Sequence, residues 1–167
     1  MSMSGTMRRA TTPGSLYRLI YRSREVISRV VPDAVTGEGL QRELRTIVSS
    51  ARWRNKADNV TGALLFTDTR FAQILEGPRE VVERTFERIA ADHRHVDVTV
   101  LSFTPTQRRS FPDWPMAFCG QSVLGPVDRL GYLSDSGVFA GSRVTTGSDV
   151  LRLLERVVQQ EDAWMGA

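Results

Sequence analysis

The segment LYRLIYRS, Leu16–Ser23, alternates with a period of two, which predicts a strand with Tyr17, Leu19, Tyr21 and Ser23 on one face. VVPDAVTGEG reads as a loop. From Gly39 onward Leu40, Leu44, Ile47, Val48 and Ala51 recur at helical spacing, and Asn55 continues that stripe one turn further. NVTGALLFTDTRFAQILEG predicts two strands around a tight turn near Asp68–Thr69. Gly77–Pro78 opens a second helix with Val82, Phe86 and Ile89 inward, and ADHRH closes it. VDVTVLSFTP predicts a further strand, and RSFPDWPMAFCG an extended, proline-punctuated sheet edge.

The order is β-α-β-β-α-β-β, the pattern of a ferredoxin-like α+β sandwich with both helices on one face of an antiparallel-rich sheet. Val60–Phe66 is apolar on both faces, and Ala72 and Ile74 are apolar on the face opposite Phe71, Gln73 and Leu75, so the sheet needs a cover on its second side. The tail supplies one. Val123–Leu133 predicts a short helix, a Gly/Ser-rich connection follows through Ser148, and Asp149–Trp164 carries Val150, Leu153, Leu154, Val157 and Val158. The expected organisation is a disordered lead-in over 1–14, a domain over 15–120 and a C-terminal helical extension over 121–167.

Within this pattern Gln73 is out of place. It carries a primary amide to an inner face, and a buried polar group left unpaired costs about 1–3 kcal/mol. Tyr21 and Ser23 lie inward at the end of the first strand, Asn55 on the inner face of the first helix, and Arg94 at the end of the second. In a ferredoxin-like fold these groups surround one slot between the helices, and a planar ligand with donors and acceptors on its edge would satisfy them. The alternative is that Gln73 and Asn55 bond backbone or water and that Tyr21 is a core aromatic. Periodicity alone favours that alternative.

Composition narrows the chemistry. The chain has 167 residues, 41% hydrophobic and 25% charged, as expected of one ordinary globular domain. A net charge of +3 is too small and too scattered to imply nucleic acid. A single cysteine, Cys119, excludes an internal disulfide framework and a multi-cysteine zinc site. The two histidines, His93 and His95, stand two apart with no cysteine nearby, so no metal site is expected. With Asp92 they end a helix, where cationic side chains suit the dipole, rather than serve acid–base work. The first fourteen residues lack the apolar run of a signal peptide and no stretch resembles a membrane span, so a cytoplasmic protein is expected. No phosphate-binding loop of the P-loop or dinucleotide type is present.

Four blocks, LYRLIYRS, RNKADNVTGALLFTDTRFAQILEGP, IAADHRH and RSFPDWPM, fall in the order and spacing of BLUF domains, blue-light sensors that use flavin. The resemblance spans about Leu16 to Met116. It implies an oxidised flavin, FAD with FMN as the other candidate, held between the two helices. Tyr21 matches the family's redox-active tyrosine and Gln73 its switching glutamine. Asn55 matches the asparagine that bonds the pyrimidine edge, and Arg94 a basic residue near the C2 carbonyl. Trp114 and Met116 match a W-x-M pair on the last strand, and Ser23 a residue that often supports the tryptophan. Arg54 departs from members that carry a histidine against the ring. The implied chemistry is electron and proton transfer from Tyr21, followed by rotation or tautomerisation of the Gln73 amide, a low-cost bistable element.

Two other readings of the fold are weaker. An acylphosphatase-like hydrolase needs an anion-cradling loop after the first strand, where this chain has SREVISRVVPD. An RNA-binding sheet needs exposed aromatics on central strands, whereas Phe66, Phe71 and Phe103 read as buried or isolated. Residues 121–167 are too few for a cyclase, phosphodiesterase or DNA-binding domain. The expectation is a photoreceptor without an output enzyme, signalling through its surface or through homo-oligomer assembly to an unidentified downstream protein, without nucleic acid or membrane.

Overall fold

The computed structural model describes residues 15–67, 70–120 and 146–165. The turn expected at Asp68–Thr69, the helix expected at Val123–Leu133 and most of the Gly/Ser-rich connection lie outside these residues.

Five strands form one sheet in the order β4-β1-β3-β2-β5. β1 (Leu16–Glu25) and β3 (Arg70–Pro78) are its antiparallel centre, β2 (Thr61–Thr67) flanks β3, and β4 (His95–Pro105) flanks β1. β1 and β2 therefore run in the same direction with β3 between them, and such a connection needs a helical crossover. After the four-residue helix α1 (Ile27–Val30) and a single 3₁₀ turn, α2 (Gly37–Ala57) makes that crossover, and α3 (Arg79–Ala90) makes the equivalent one between β3 and β4. This is the expected ferredoxin-like α+β arrangement.

Local chemistry sets the helix limits. The Thr36 hydroxyl accepts from the Gly39 amide at 3.1 Å, capping α2 four residues before the apolar stripe begins at Leu40. Asn59, at φ 55°, turns the chain out of α2 in the left-handed region that asparagine tolerates. Pro78 caps α3 rather than forming its first turn.

The segment expected to extend from Arg109 to Gly120 is mostly irregular. Only Ala117–Gly120 pairs, as the short edge strand β5 parallel to β2. Pro112 and Pro115 lack the amide a ladder requires, and residues 106–116 are held by other means. The Glu76 carboxylate, fully buried on β3, accepts from the amides of Ser110 (2.9 Å) and Phe111 (3.1 Å) and from Arg18 Nε (2.7 Å). Arg109 donates to the carbonyls of Glu76 and Asn59, each at 2.8 Å.

The sheet has a core on each side. Leu19, Tyr21, Leu64, Phe71 and Leu75 pack under α2 and α3 with Leu44, Val48 and Val82. Ile20, Ala63, Leu65, Ala72 and Ile74 pack against Phe111 and the inner stripe of α4 (Gly147–Met165), namely Val150, Leu154, Val157 and Val158. The cover that Ala72 and Ile74 require is thus the C-terminal helix. Phe66 and Phe71 are buried against each other with ring centroids 5.0 Å apart, leaving no aromatic platform for RNA on these strands.

Candidate functional site: a cleft between two helices

Tyr21 and Gln73 stand directly opposite each other in the β1–β3 ladder, on the face beneath α2 and α3. Register alone therefore brings them together. The Tyr21 hydroxyl donates to Gln73 Oε1 at 2.5 Å. Burial, with the charge of Asp92 adding to it, pushes the Tyr21 phenol far above its ordinary pKa, so the residue is a neutral donor. Phe86 of α3 packs at a tilt on its ring, 5.3 Å between centroids.

The inner part of the cleft above this pair holds about 480 Å³ of empty space, adjoining open solvent included. It is walled by Ile47 and Ala51 of α2, Leu64, Phe71 and Ile89, with Tyr21 and Gln73 at its floor. The outer part adds Ser50, Arg54 and Asn55 of α2 and Thr85 and Arg88 of α3. Apolar walls with a few convergent polar groups are the ordinary make-up of a site for a small planar molecule.

Arg94 and Asp92 flank the cleft and hold each other. Arg94 donates to both Asp92 oxygens, the shortest contact being 2.5 Å, and to Glu43 of α2 at 2.7 Å. Burial works against the Asp92 carboxylate, but the hydrogen bonds from Arg94 outweigh it and hold its pKa below the usual range. The hydrogen bond to Asp92 raises the guanidinium of Arg94 in turn, although partial burial opposes this.

Two buried amides have capacity to spare. Gln73, 4% exposed, spends its oxygen on Tyr21, while its nitrogen meets only the Met116 sulfur at 3.5 Å, a weak acceptor. Asn55, 2% exposed, donates to the Pro115 carbonyl at 2.8 Å, and its oxygen has no partner among the described residues. Buried polar groups are rarely left so. An N–H at the floor of the cleft and a carbonyl at its outer wall fit the mixed acceptor and donor edge of an isoalloxazine ring.

Of the residues singled out by sequence, Tyr21, Arg54, Asn55, Gln73 and Arg94 line the cleft. Ser23 and Met116 stand one contact behind it. Ser23 Oγ meets His95 Nδ1 at 2.8 Å, and Met116, fully buried, meets Gln73. Trp114 departs from the grouping expected of it, because it packs partly buried with the second core, on the side of α4. The W-x-M pair also precedes the last strand, which begins at Ala117, so the shared face of an i, i+2 pair does not apply.

His95 is a residue the pattern missed. It opens β4 instead of merely ending a helix, lies buried against the cleft, and bridges Ser23 to the Ile89 carbonyl at 2.7 Å. That carbonyl can only accept, so Nε2 carries a proton toward it, while Nδ1 bonds the serine hydroxyl. A histidine following a D-x-R helix end and leading into an apolar strand was the available signal.

The fold thus sets a tyrosine–glutamine pair at the floor of a cleft whose make-up suits a small planar molecule. Residues 16–117 match the family described as BLUF, sensors of blue-light using FAD. The chain belongs to this family. It is 36% identical over 117 residues to the photoactivated adenylate cyclase subunit beta of Euglena gracilis, a stretch covering 67% of this chain and 13% of that protein. The Blue light- and temperature-regulated antirepressor BluF of Escherichia coli (strain K12) is 38% identical over 69 residues, 40% of this chain and 17% of that protein. The dark-state structure of the BLUF protein BlrB superposes with a TM-score of 0.64 at 27% identity, covering 87% of this chain and 99% of that one. The photo-activated state of BlsA gives 0.66 at 27% identity, covering 84% and 93%. Neither the hydrolase nor the RNA-binding reading finds support in these likenesses. No helix among the described residues is long and apolar enough to cross a membrane.

Proposed function

We propose that this chain is a blue-light photoreceptor that holds oxidised FAD or FMN in the cleft and switches through Tyr21 and Gln73. The observation that carries this reading is the 2.5 Å hydrogen bond from Tyr21 to a glutamine whose own amide nitrogen lacks a strong acceptor. When bound and excited by blue light, flavin supplies a strong one-electron oxidant. Tyr21 is placed at the floor to give up an electron and, to the Gln73 oxygen, a proton. When both return, tyrosine and flavin are as they were, while Gln73 keeps a new amide orientation or tautomer and so presents a different donor and acceptor pattern to the cleft. Asn55 and Arg94 position the polar edge of the ring, Arg54 sits at its outer side, and the apolar walls exclude water.

Gln73 touches Met116, and the carbonyl of Met116 accepts from Arg52 Nε at 2.9 Å. We infer that residues 106–116 and α4 carry the change outward, with Ser23 and His95 bracing the floor and Trp114 reporting on the far face. Signalling then rests on a change in how the chain meets a second copy or a downstream protein, and no enzyme activity of its own is called for.

The test is optical. Purified full-length protein, reconstituted with flavin if necessary, is expected to be yellow, to shift slightly to the red under blue light and to recover in the dark. A folded sample that stays colourless after incubation with both FMN and FAD refutes the reading.

A further inference from the structure

The outer part of the cleft has a charge pattern that the photochemistry leaves unexplained. Arg54 is in the last two turns of α2 and Arg88 in the last turn of α3, and both line the same opening from opposite walls. Both are exposed, and among the described residues neither guanidinium has a hydrogen-bond or ion-pair partner. With Arg94, three arginines line the outer part against one carboxylate, Asp92, which Arg94 already neutralises. Cations in a last helical turn suit the macrodipole. That accounts for their sign, and it does not account for two unpaired guanidinium groups lining one opening, with Ser50 in the same lining.

An isoalloxazine carries its ribityl tail on N10, on the long edge opposite N5 and O4. A ring that offers N5 and O4 to Gln73 therefore sends its tail away from Gln73 and out of the cleft. In riboflavin that tail ends in a hydroxyl, whereas in FMN and FAD it carries phosphate. Planar guanidinium groups bind phosphate oxygens through paired, charge-assisted hydrogen bonds. We propose that Arg54 and Arg88 form a phosphate clamp at the mouth of the cleft, selecting phosphate-bearing flavin nucleotides over riboflavin. The clamp rests on the flavin reading above, and it gives Arg54 a task other than packing against the ring.

The experiment compares the affinities of the full chain for riboflavin, FMN and FAD by fluorescence titration, in the wild type and in an Arg54→Gln, Arg88→Gln double variant. The wild type is expected to prefer FMN and FAD to riboflavin by about tenfold or more. The preference should shrink as salt is raised, because the clamp is partly open to solvent. In the double variant the ratio of FMN to riboflavin affinity should fall toward one. Equal wild-type affinity for all three flavins, or a wild-type ratio retained in the double variant, overturns the clamp and leaves the photoreceptor reading in place. Failure of the wild type to take up any flavin sinks both.

Discussion

Asn55 and Pro115 are joined by a 2.8 Å hydrogen bond that ties the end of α2 to the loop delivering Met116 to Gln73. One side chain thus belongs both to the wall of the cleft and to the anchorage of the segment behind it. Asn55→Ala removes a cleft acceptor and releases Pro115 at once. Flavin affinity is expected to drop about five- to a hundredfold, the equivalent of one lost buried hydrogen bond. Equilibrium titration checks this, and unchanged affinity would remove Asn55 from the ligand site.

Tyr21→Phe keeps the ring against Phe86 but deletes the hydroxyl that Gln73 accepts. Gln73→Leu keeps the approximate volume and deletes the amide. Each variant should fold and bind flavin, yet neither should show the reversible red shift in a light-minus-dark difference spectrum. A wild-type shift in either variant excludes that residue from the switch.

Glu76→Gln tests the buried clamp beneath the loop. It removes the counter-charge of Arg18 and weakens the hold on the Ser110 and Phe111 amides, at a cost of about 3 kcal/mol. Ser110→Ala is milder, about 1 kcal/mol. It also cuts the 2.6 Å bond from Ser110 Oγ to Glu155 of α4, so hydrogen exchange in that helix should rise. Denaturant melts give the first effect and exchange rates the second. An unmoved exchange profile in Ser110→Ala would show that α4 is held by its apolar stripe alone.

Acid should loosen the cleft through Asp92. Its folded pKa is depressed, so its contribution is complete above the unfolded carboxylate value of about 3.9 and is lost as pH falls through the lower folded value. Unfolding free energy is expected to decline below about pH 4, and Asp92→Asn should flatten that decline. An identical acid profile in the variant would assign the loss to other carboxylates.

Gly62 marks a close approach of backbones. A Cβ there would lie 1.9 Å from the Ile74 carbonyl oxygen, so Gly62→Ala must displace β2 from β3. A loss of about 1–3 kcal/mol or more is expected from thermal or denaturant unfolding. Wild-type stability in that variant would mean that the strands separate more freely than their packing implies.

The sheet and the heart of the site were legible because a strand's period of two places residues without reference to anything distant. Tyr21 and Gln73 fell on the inner face, Ala72 and Ile74 on the outer, and the cover for the latter was sought in the tail, where α4 is found. What escaped depends on contacts between segments far apart in sequence. Residues 109–120 look extended, but the segment is irregular before Ala117, and Trp114 and Met116 go to opposite cores. The burial of Phe111 in the second core follows from a loop that the Glu76 carboxylate and Arg109 hold from distant positions. An acid on a face otherwise due to be covered by apolar residues was the one sign that Glu76 had partners. His95 was read as the end of a helix because its two hydrogen bonds come from a strand and a helix end that folding brings together.

The alternation along β3 has a consequence for how such a molecule can be rebuilt. Residues 71, 73 and 75 belong to one compartment and 72 and 74 to the other, with a single peptide bond between neighbours that serve different ends. The two sides of the wall can therefore be rewritten separately. A different helix could be seated on redesigned even-numbered positions while the odd-numbered positions keep the same view of the ligand. Small light-sensing cassettes with new outer surfaces are accessible by editing every second letter of this strand.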